Sequence, residues 1–374
     1  MTIVHIGPPH LAVLYSLGGA TERRMREIAT RQAQAGSRVV IYSAEDTAGI
    51  QKYGDVEIRA IACHQRGVVR AAEFLYKSLR DASTLKPDVL HFHSLAEGAA
   101  FTHMFASRLR AKTVLSYDFF EFRRGKQNPL FRWYRSGLQR FSSLLPVSSY
   151  CQRESAQYWT LPQDKIHVVY NGVSLQQFHP DSAAGAARRE LCGINGEFVV
   201  LYVGRVCEQK GTDLLLSACA RLHAEGRKLR LVIAGPIGQF GQDTDNGFLE
   251  LLKQHQATYL GAVDEAVLPS IYNMADVFVM PTRMDEMFGM AAIEAQACGK
   301  PVVCSNHGGL PEVITPTSGL LFRTGDVDDL AQQLRTLMDD AGMRNRFALA
   351  AEGNAKRFAW ETITEELYRV YQQA

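Results

Sequence analysis

The chain has 374 residues, which exceeds one average domain and leaves two domains or one large one. Hydrophobic residues make up 46% and charged residues 21%, the composition of an ordinary folded protein. No apolar run approaches the ~18 residues that a membrane span needs, which argues against an integral membrane protein.

The total of 41 Lys+Arg against 39 Asp+Glu conceals a division. Residues 1–180 carry 23 basic and 14 acidic side chains, while residues 181–374 carry 18 and 25. A basic half joined to an acidic half points to two units facing different partners. The opening stretch MTIVHIGPPHLAVLYSLGGATERR has no basic n-region and no cleavage site, so it reads as a buried strand. The seven cysteines are scattered, odd in number and never spaced CxxC. That argues against a disulfide framework or a zinc site and fits a reducing cytoplasm.

Short apolar runs alternate with helical patterns. Thr2–Ile6, Arg38–Tyr42, Val56–Ala60, Val89–His93, Lys112–Ser116, Leu144–Val147 and Ile166–Tyr170 read as strands, most of them rich in β-branched residues. Thr21–Ala35, Val69–Ser83, Ala96–Leu109 and Asn128–Phe141 read as amphipathic helices between them. This alternation predicts a parallel sheet with helices on both faces.

After the polar, Ala/Gly-rich stretch His179–Arg188 the pattern restarts with the strand Phe198–Val203. Strands at Arg230–Ala234, Ala257–Tyr259, Val277–Met280 and Pro301–Cys304 follow, with helices near Thr212–Glu225, Asn246–Lys253, Ala266–Met274 and Gly289–Ala297. A second doubly wound unit is expected, with the boundary near residue 180. The segment Ala355–Gln373 reads as an amphipathic helix that pattern alone assigns to neither unit. Open parallel sheets bind ligands at the carboxyl ends of their strands, and a cleft between two domains is the default site.

Two constellations carry chemistry. Gly204-Arg205-Val206-Cys207-Glu208-Gln209-Lys210-Gly211 follows the strongest strand of the second half and leads into a helix. A glycine turn at a helix N-terminus offers N–H groups to an anion, and Arg205 and Lys210 add charge that suits a diphosphate. The plain alternative is a surface loop with two solvated bases. In Asp285-Glu286-Met287-Phe288-Gly289-Met290-Ala291-Ala292-Ile293-Glu294 two glutamates stand eight apart, with Gly289 between strand and helix. Such a pair grips separate parts of one long ligand, since each carboxylate can accept two hydroxyls. A solvated helix face is the plain alternative here.

GRVCEQKG at 204–211, EMFGMAAIE at 286–294 and ACGKPVVCSNHGGLPEVI at 297–314 together resemble the retaining glycosyltransferases of family 4, whose E-x7-E motif the two glutamates match. Gly18-Gly19, PDVLHFHS at 87–94, PVSSYCQ at 146–152, VVYNGVSLQQFHP at 168–180 and Trp360 extend the likeness over nearly the whole chain. The resemblance implies a GT-B architecture: two facing, doubly wound, Rossmann-like α/β domains with the C-terminal helix crossing back to the first. The implied acceptor-side domain is 1–180 plus 355–374, and the nucleotide-sugar domain is 181–354.

By motif match, Arg205 and Lys210 would hold the donor diphosphate, Glu294 the ribose hydroxyls and Glu286 those of the transferred sugar. Backbone N–H groups of Met287, Phe288 and Gly289 would line sugar and phosphates. Gly18 and Gly19 would close on the phosphates, Leu260 would meet the base, and Asn171, Gly204 and Gly235 complete the implied donor set. The nucleotide sugar is a substrate, so no cofactor and no metal is implied. Arg205, Lys210 and a helix N-terminus would stabilise the leaving phosphate electrostatically.

One departure matters. Where many relatives carry a histidine, this chain reads Leu115-Ser116-Tyr117-Asp118-Phe119-Phe120-Glu121. Tyr117 and Asp118 are candidates to replace it, against the alternative of a strand end with a helix-capping aspartate. His93 is a candidate for the acceptor side, though a histidine at a strand end is commonly structural.

Between Arg108 and Arg140 stand nine Lys/Arg and two acids, interleaved with aromatics. The segment reads as a solvated helix face, as a patch for anionic lipid on the inner face of a membrane, or as a contact to an anionic acceptor. Nothing else supports nucleic acid as a partner. The expected function is transfer of a hexose-type sugar from a UDP- or GDP-sugar to a glycan or lipid-linked acceptor. A nucleotide-sugar epimerase on the same fold and a non-catalytic sugar-nucleotide-binding subunit are the alternatives. A dehydrogenase is disfavoured, since no strand is followed by GxGxxG.

Overall fold

The computed structural model describes residues 1–9, 13, 19–65, 67–93, 95–105, 110–118, 135–158, 161–238 and 247–373. They fall into two units, Met1–Asn171 with Trp360–Ala374, and Gly172–Ala359.

The first unit runs β1 (Thr2–Ile6), α1 (Ala20–Gln34), β2 (Arg38–Glu45), β3 (Gly49–Tyr53), β4 (Val56–Ala62), α2 (Gly67–Leu85), β5 (Val89–Phe92), α3 (Leu95–Phe105), β6 (Lys112–Tyr117), β7 (Ser143–Pro146) and α4 (Ser149–Tyr158). Its strands are ordered β3-β4-β2-β1-β5-β6-β7, all parallel except β3. Val4 pairs with Val40 on one side and Leu90 on the other. Strands buried on both faces read as unbroken apolar runs, which is why the sequence reveals them. Their order reverses between β1 and β5.

The edge strand β3 was not anticipated. All five of its residues are exposed, so it carries no apolar signal, although Gly54-Asp55 between Tyr53 and Val56 is a two-residue hairpin loop.

In the second unit, α5 (Ser182–Leu191), β8 (Phe198–Val203), α6 (Thr212–Ala224), β9 (Leu229–Ala234), α7 (Phe248–Gln254), β10 (Thr258–Tyr259) and α8 (Leu268–Asn273) come first. They are followed by β11 (Val277–Met280), α9 (Met290–Ala297), β12 (Val302–Ser305), α10 (Leu310–Val313), β13 (Gly319–Phe322), α11 (Val327–Asp339) and α12 (Ala341–Ala355). The parallel order is β10-β9-β8-β11-β12-β13. Val200, Leu215, Ile233, Val279, Val303 and Leu334 lie in its core.

Two expectations need correction, and one helix went unassigned. The polar stretch His179–Arg188, given no element from sequence, folds from Ser182 as α5, capped by the Asp181 carboxylate accepting from the Ala184 N–H at 2.9 Å. Ala and Arg favour helix, and Gly185 lets α5 lie against the Asn273 carbonyl, where a Cβ would clash. Ile166–Tyr170 forms only one bridge, to Leu144. Its N–H groups reach β7, but the carbonyls of Val169 and Tyr170 accept from the Arg24 guanidinium instead of another strand. The last helix starts at Trp360, after a 3-10 turn over Lys356–Phe358. The predicted helical stretches 106–109 and 128–134 lie outside the described residues.

That last helix, α13 (Trp360–Gln373), belongs to the first unit. Trp360, Ile363, Thr364, Leu367, Val370 and Tyr371 are buried at helical spacing. Lys112 Nζ donates to the carbonyls of Tyr371 (2.8 Å) and Gln372 (3.2 Å), satisfying its C-terminal end.

Tyr371 also enters a buried polar network. Its hydroxyl lies 2.7 Å from His91 Nδ1 and accepts from Gln32 Nε2. Gln32 Oε1 is 2.7 Å from His5 Nε2, and His5 Nδ1 is 2.9 Å from His93 Nε2. His91 Nε2 lies 2.7 Å from Ser116 Oγ. Nitrogens of the three histidines lie within 4.8 Å of one another. His5 and His93 share a hydrogen bond, however, and both His91 nitrogens are engaged, so three lone pairs do not converge as metal ligation requires.

Burial keeps all three imidazoles neutral: His5 is lowered to about 4 despite its bond to Gln32, and His91 and His93 are held well below 6.5. The unfolded chain, with ordinary histidines, therefore binds more protons than the fold between about pH 4 and 6.5. Stability is expected to be full above about pH 6.5 and to fall as pH drops toward 4. Urea midpoints measured across that window check this, and a flat profile contradicts it. Tyr371→Phe, which strands Gln32 Nε2 and His91 Nδ1, is expected to cost about 1–3 kcal/mol in the same assay.

Candidate functional site

In the second sheet the strand order reverses at β8 and β11, and ligands of doubly wound sheets bind at the carboxyl edge of such a reversal. Most of the predicted donor residues are assembled there. Gly204 (φ 152°) ends β8 and Gly235 (φ 139°) ends β9. A Cβ on Gly235 would overlap the Gly204 carbonyl, so glycine is what lets the two strand ends touch. Gly235 N–H donates to the Gly261 carbonyl at 2.7 Å, and Leu260 N–H to that of Ile233 at 2.9 Å. Leu260 is thereby held at the same edge, with its N–H already engaged. Tyr202 donates its hydroxyl to the Arg205 carbonyl at 2.6 Å, fixing the turn from which the half-buried Arg205 extends.

The following 3-10 turn, Glu208–Lys210, ends at Gly211 in the left-handed region, pressed on the Pro281 carbonyl at the end of β11. Arg283 clamps the two loops together. Its N–H donates to the Gln209 carbonyl, and its guanidinium makes two bonds, 2.5 and 2.6 Å, to the Asp213 carboxylate. The result brings Lys210 Nζ to 2.5 Å from Glu286 Oε2, with side chains 16% and 20% exposed.

Glu286 and Met287 rest on Gly308 and Gly309, where any Cβ would overlap their backbone, and Gly309 N–H donates to the Glu286 carbonyl at 2.7 Å. Asp285, next in the loop, lies 2.8 Å from His307 Nε2. Met287 and Phe288 are buried, Phe288 edge-on to Phe358. Gly289 (φ 104°) opens α9, leaving that helix's first N–H groups beside Glu286. Glu294 is 4% exposed and accepts from the Tyr272 hydroxyl at 2.8 Å, so it lies on a buried face of α9 and not a solvated one.

In the first unit, Gly19 is the N-cap of α1 in extended backbone, whereas Gly18 lies outside the described residues. The Glu22 carboxylate accepts from its own N–H and that of Gly19, as in a capping box. Burial raises its pKa, those two bonds oppose, and Asp118 adds to the rise. Asp118 accepts from the Thr21 hydroxyl at 3.2 Å. Tyr117 is buried with its hydroxyl 3.1 Å from Ser155 Oγ. His93 is buried at the end of β5, and its Nδ1 has no partner among the described residues. Asn171, 4% exposed, accepts from Arg24 Nη1 at 2.6 Å.

A cavity of about 870 Å³ lies elsewhere, lined by Lys86, Asp88, Arg110 and Lys112 at the amino edge of the first sheet, and contains none of these residues. Much of the basic segment Arg108–Arg140, including Arg108, Arg123, Arg124, Lys126 and Arg132, lies outside the described residues. Among the described residues, no helix is long and apolar enough to cross a membrane.

Sequence reasoning missed Tyr272, Arg283, Asp213, His307 and Arg24. The glycine pair at 308–309 after an apolar strand was the one local signal for the loop beneath Glu286.

Two family models match consecutive parts of the chain: Glycosyltransferase Family 4 over residues 18–177 and Glycosyl transferases group 1 over residues 187–353. An uncharacterized glycosyltransferase of Methanocaldococcus jannaschii is 30% identical over 236 residues, 62% of this chain and 60% of that protein. The D-inositol 3-phosphate glycosyltransferase of Nocardia farcinica is 34% identical over 230 residues, 59% of this chain and 50% of that protein. The chain thus spans about half to three-fifths of the length of these curated relatives.

Among solved structures, sucrose-phosphate synthase from Thermosynechococcus elongatus has a TM-score of 0.83 at 20% identity, covering 100% of this chain and 99% of that one. Anabaena HepE in complex with UDP and glucose has a TM-score of 0.79 at 20% identity, covering 100% of both chains. These likenesses show the fold to be GT-B, with two Rossmann-like domains. The chain belongs to the group 1, family 4 glycosyltransferases.

Proposed function

We propose that this chain is a retaining, metal-independent hexosyltransferase. It moves a sugar from a UDP- or GDP-sugar to a glycan or lipid-linked acceptor in cell-surface polysaccharide or lipopolysaccharide biosynthesis. The observation that carries the reading is the Lys210–Glu286 pair at the reversal of the second sheet, beside the buried Glu294. Two neighbours, HepE with UDP-glucose and the lipopolysaccharide glycosyltransferase WaaG, support the donor and acceptor classes by their own descriptions.

Cleavage of the bond between sugar and diphosphate builds negative charge on the phosphate and positive charge at the anomeric carbon. Arg205, Lys210 and the N–H groups of Met287, Phe288 and Gly289 stabilise the first; the Glu286 carboxylate orients the sugar hydroxyls. Without donor, Lys210 and Glu286 neutralise each other. Donor binding exchanges that ion pair for one between Lys210 and phosphate, while Glu286 accepts hydrogen bonds from the sugar hydroxyls, so neither side chain is left without a polar partner. Glu294, oriented by Tyr272, accepts the ribose hydroxyls. Leu260, whose N–H is spent on Ile233, offers its carbonyl to the base. Gly204 and Gly235 complete the donor contacts at this edge.

A UDP- or GDP-sugar is expected to raise the melting temperature, and Arg205→Ala to abolish the shift. If neither sugar class shifts it, the proposed activity is wrong. Lys210→Met is expected to lower turnover by about 10²–10³-fold, measured as nucleotide release with acceptor. Turnover unaffected by EDTA, and a product with the donor's anomeric configuration by NMR, check the two finer claims.

A further inference from the structure

Doubly wound sheets hold their ligands at the carboxyl ends of their strands, so a cavity at the amino edge stands outside that use. The first sheet has one there, of about 870 Å³, within the roughly 300–1,000 Å³ of small-molecule sites. The end of α2, the starts of β5 and β6 and Tyr371 of α13 form its walls, so it lies wholly in the first unit. Pro87, Val89 and Tyr371 supply apolar lining. Its charged side chains are Lys86, Arg110 and Lys112 against a single carboxylate, Asp88.

Two of these four are engaged. Lys112 Nζ donates to the carbonyls of Tyr371 and Gln372, and the Asp88 carboxylate accepts from the Thr2 N–H at 2.7 Å. An ammonium has three donors and a carboxylate accepts several bonds, so both keep capacity for a ligand. Lys86 and Arg110 are exposed and bond nothing among the described residues. The backbone at Lys86 is unusual as well. It follows α2 with φ 47° and precedes Pro87, and it is one of two non-glycine residues with positive φ among the described residues. Glycine is favoured in that conformation, and a following proline narrows the choice further. Lysine here carries a conformational cost, and its ammonium offsets none of it through a bond within the described chain.

We propose that this cavity binds a small organic phosphate. Lys86 and Arg110 hold the phosphate, while Asp88 accepts from a hydroxyl of the ligand's body and Lys112 donates to another of its oxygens. This binding is independent of the transfer chemistry proposed above. Two unpaired cations match a dianion, Arg110 through its planar fork and Lys86 as a point charge. Asp88 repels a second anionic group and favours hydroxyls beside the phosphate. Inorganic phosphate alone would leave most of the cavity unfilled and its apolar lining uncovered. Neutralising the carbonyl end of α2 is the other role open to Lys86, and it requires no ligand.

Titration calorimetry on the full chain separates these roles, with ribose 5-phosphate, glycerol 3-phosphate and inorganic phosphate as probes. At least one of the organic phosphates is expected to bind more tightly than inorganic phosphate. Lys86→Gly and Arg110→Gln are each expected to weaken that binding about tenfold. Lys86→Gly also relieves the left-handed backbone, so its urea midpoint is expected at or above that of the wild type, and lost binding is then not lost folding. Lys210→Met, in the other unit, is expected to leave the binding unchanged. Wild-type affinity in Lys86→Gly would assign Lys86 to the end of α2 and overturn the proposal. Failure of both organic phosphates to bind, equal affinity for inorganic phosphate, or binding lost in Lys210→Met would overturn it too.

Discussion

The contact of Gly211 with the Pro281 carbonyl sets the geometry of the second unit's chemistry. It forces the turn after β8 against the end of β11, and the Arg283–Asp213 clamp then fixes the loop beyond. Lys210 reaches Glu286 because two strand ends approach closer than any side chain would permit. The same device recurs at Gly235 on Gly204, and at Gly308 and Gly309 beneath Glu286 and Met287. Glycine here serves approach as much as turn formation, since it lets backbone groups, charges and helix N-termini converge on one edge.

The first unit solves a different problem. Its strand reversal at β1 and β5 is filled by His5, His91 and His93, with Arg24 and Gln32 from α1 and Tyr371 from α13. A dry parallel sheet would be filled with aliphatic residues, so a polar core here carries a desolvation cost that hydrogen bonding only partly offsets. The bonds pin the distant C-terminal helix to the sheet. Among the described residues they also leave Arg24 Nε and His93 Nδ1 buried without partners. Arg24 connects this network to Asn171, so the C-terminal helix and the ligand edge of the sheet share one set of hydrogen bonds.

The elements that the sequence disclosed are those whose burial leaves a pattern. Both-face burial made β1, β2, β5, β8, β9 and β11 readable as apolar runs, and one-face burial made α1, α2 and α6 readable by period. The exposed β3 left no such trace, and α5 was hidden because its small and charged residues resemble a linker. The strand expected at Ile166–Tyr170 had the right composition, but a buried arginine took the carbonyls that a neighbouring strand would have used.

The candidate site divides along the same line. Arg205, Lys210, Glu286, Gly289 and Glu294 were singled out by type and spacing as candidates, and the family resemblance supplied the roles implied for them. Their partners were not. Tyr272 lies 22 residues from Glu294, Asp213 lies 70 from Arg283, and Arg24 lies 147 from Asn171. Only folding brings such pairs to hydrogen-bond distance. The sequence by itself determined two doubly wound sheets, the family and which residue types gather at the second sheet's edge. Tertiary structure decided which way each group is turned, because a side chain's free donor or acceptor is whatever its distant partner leaves unused.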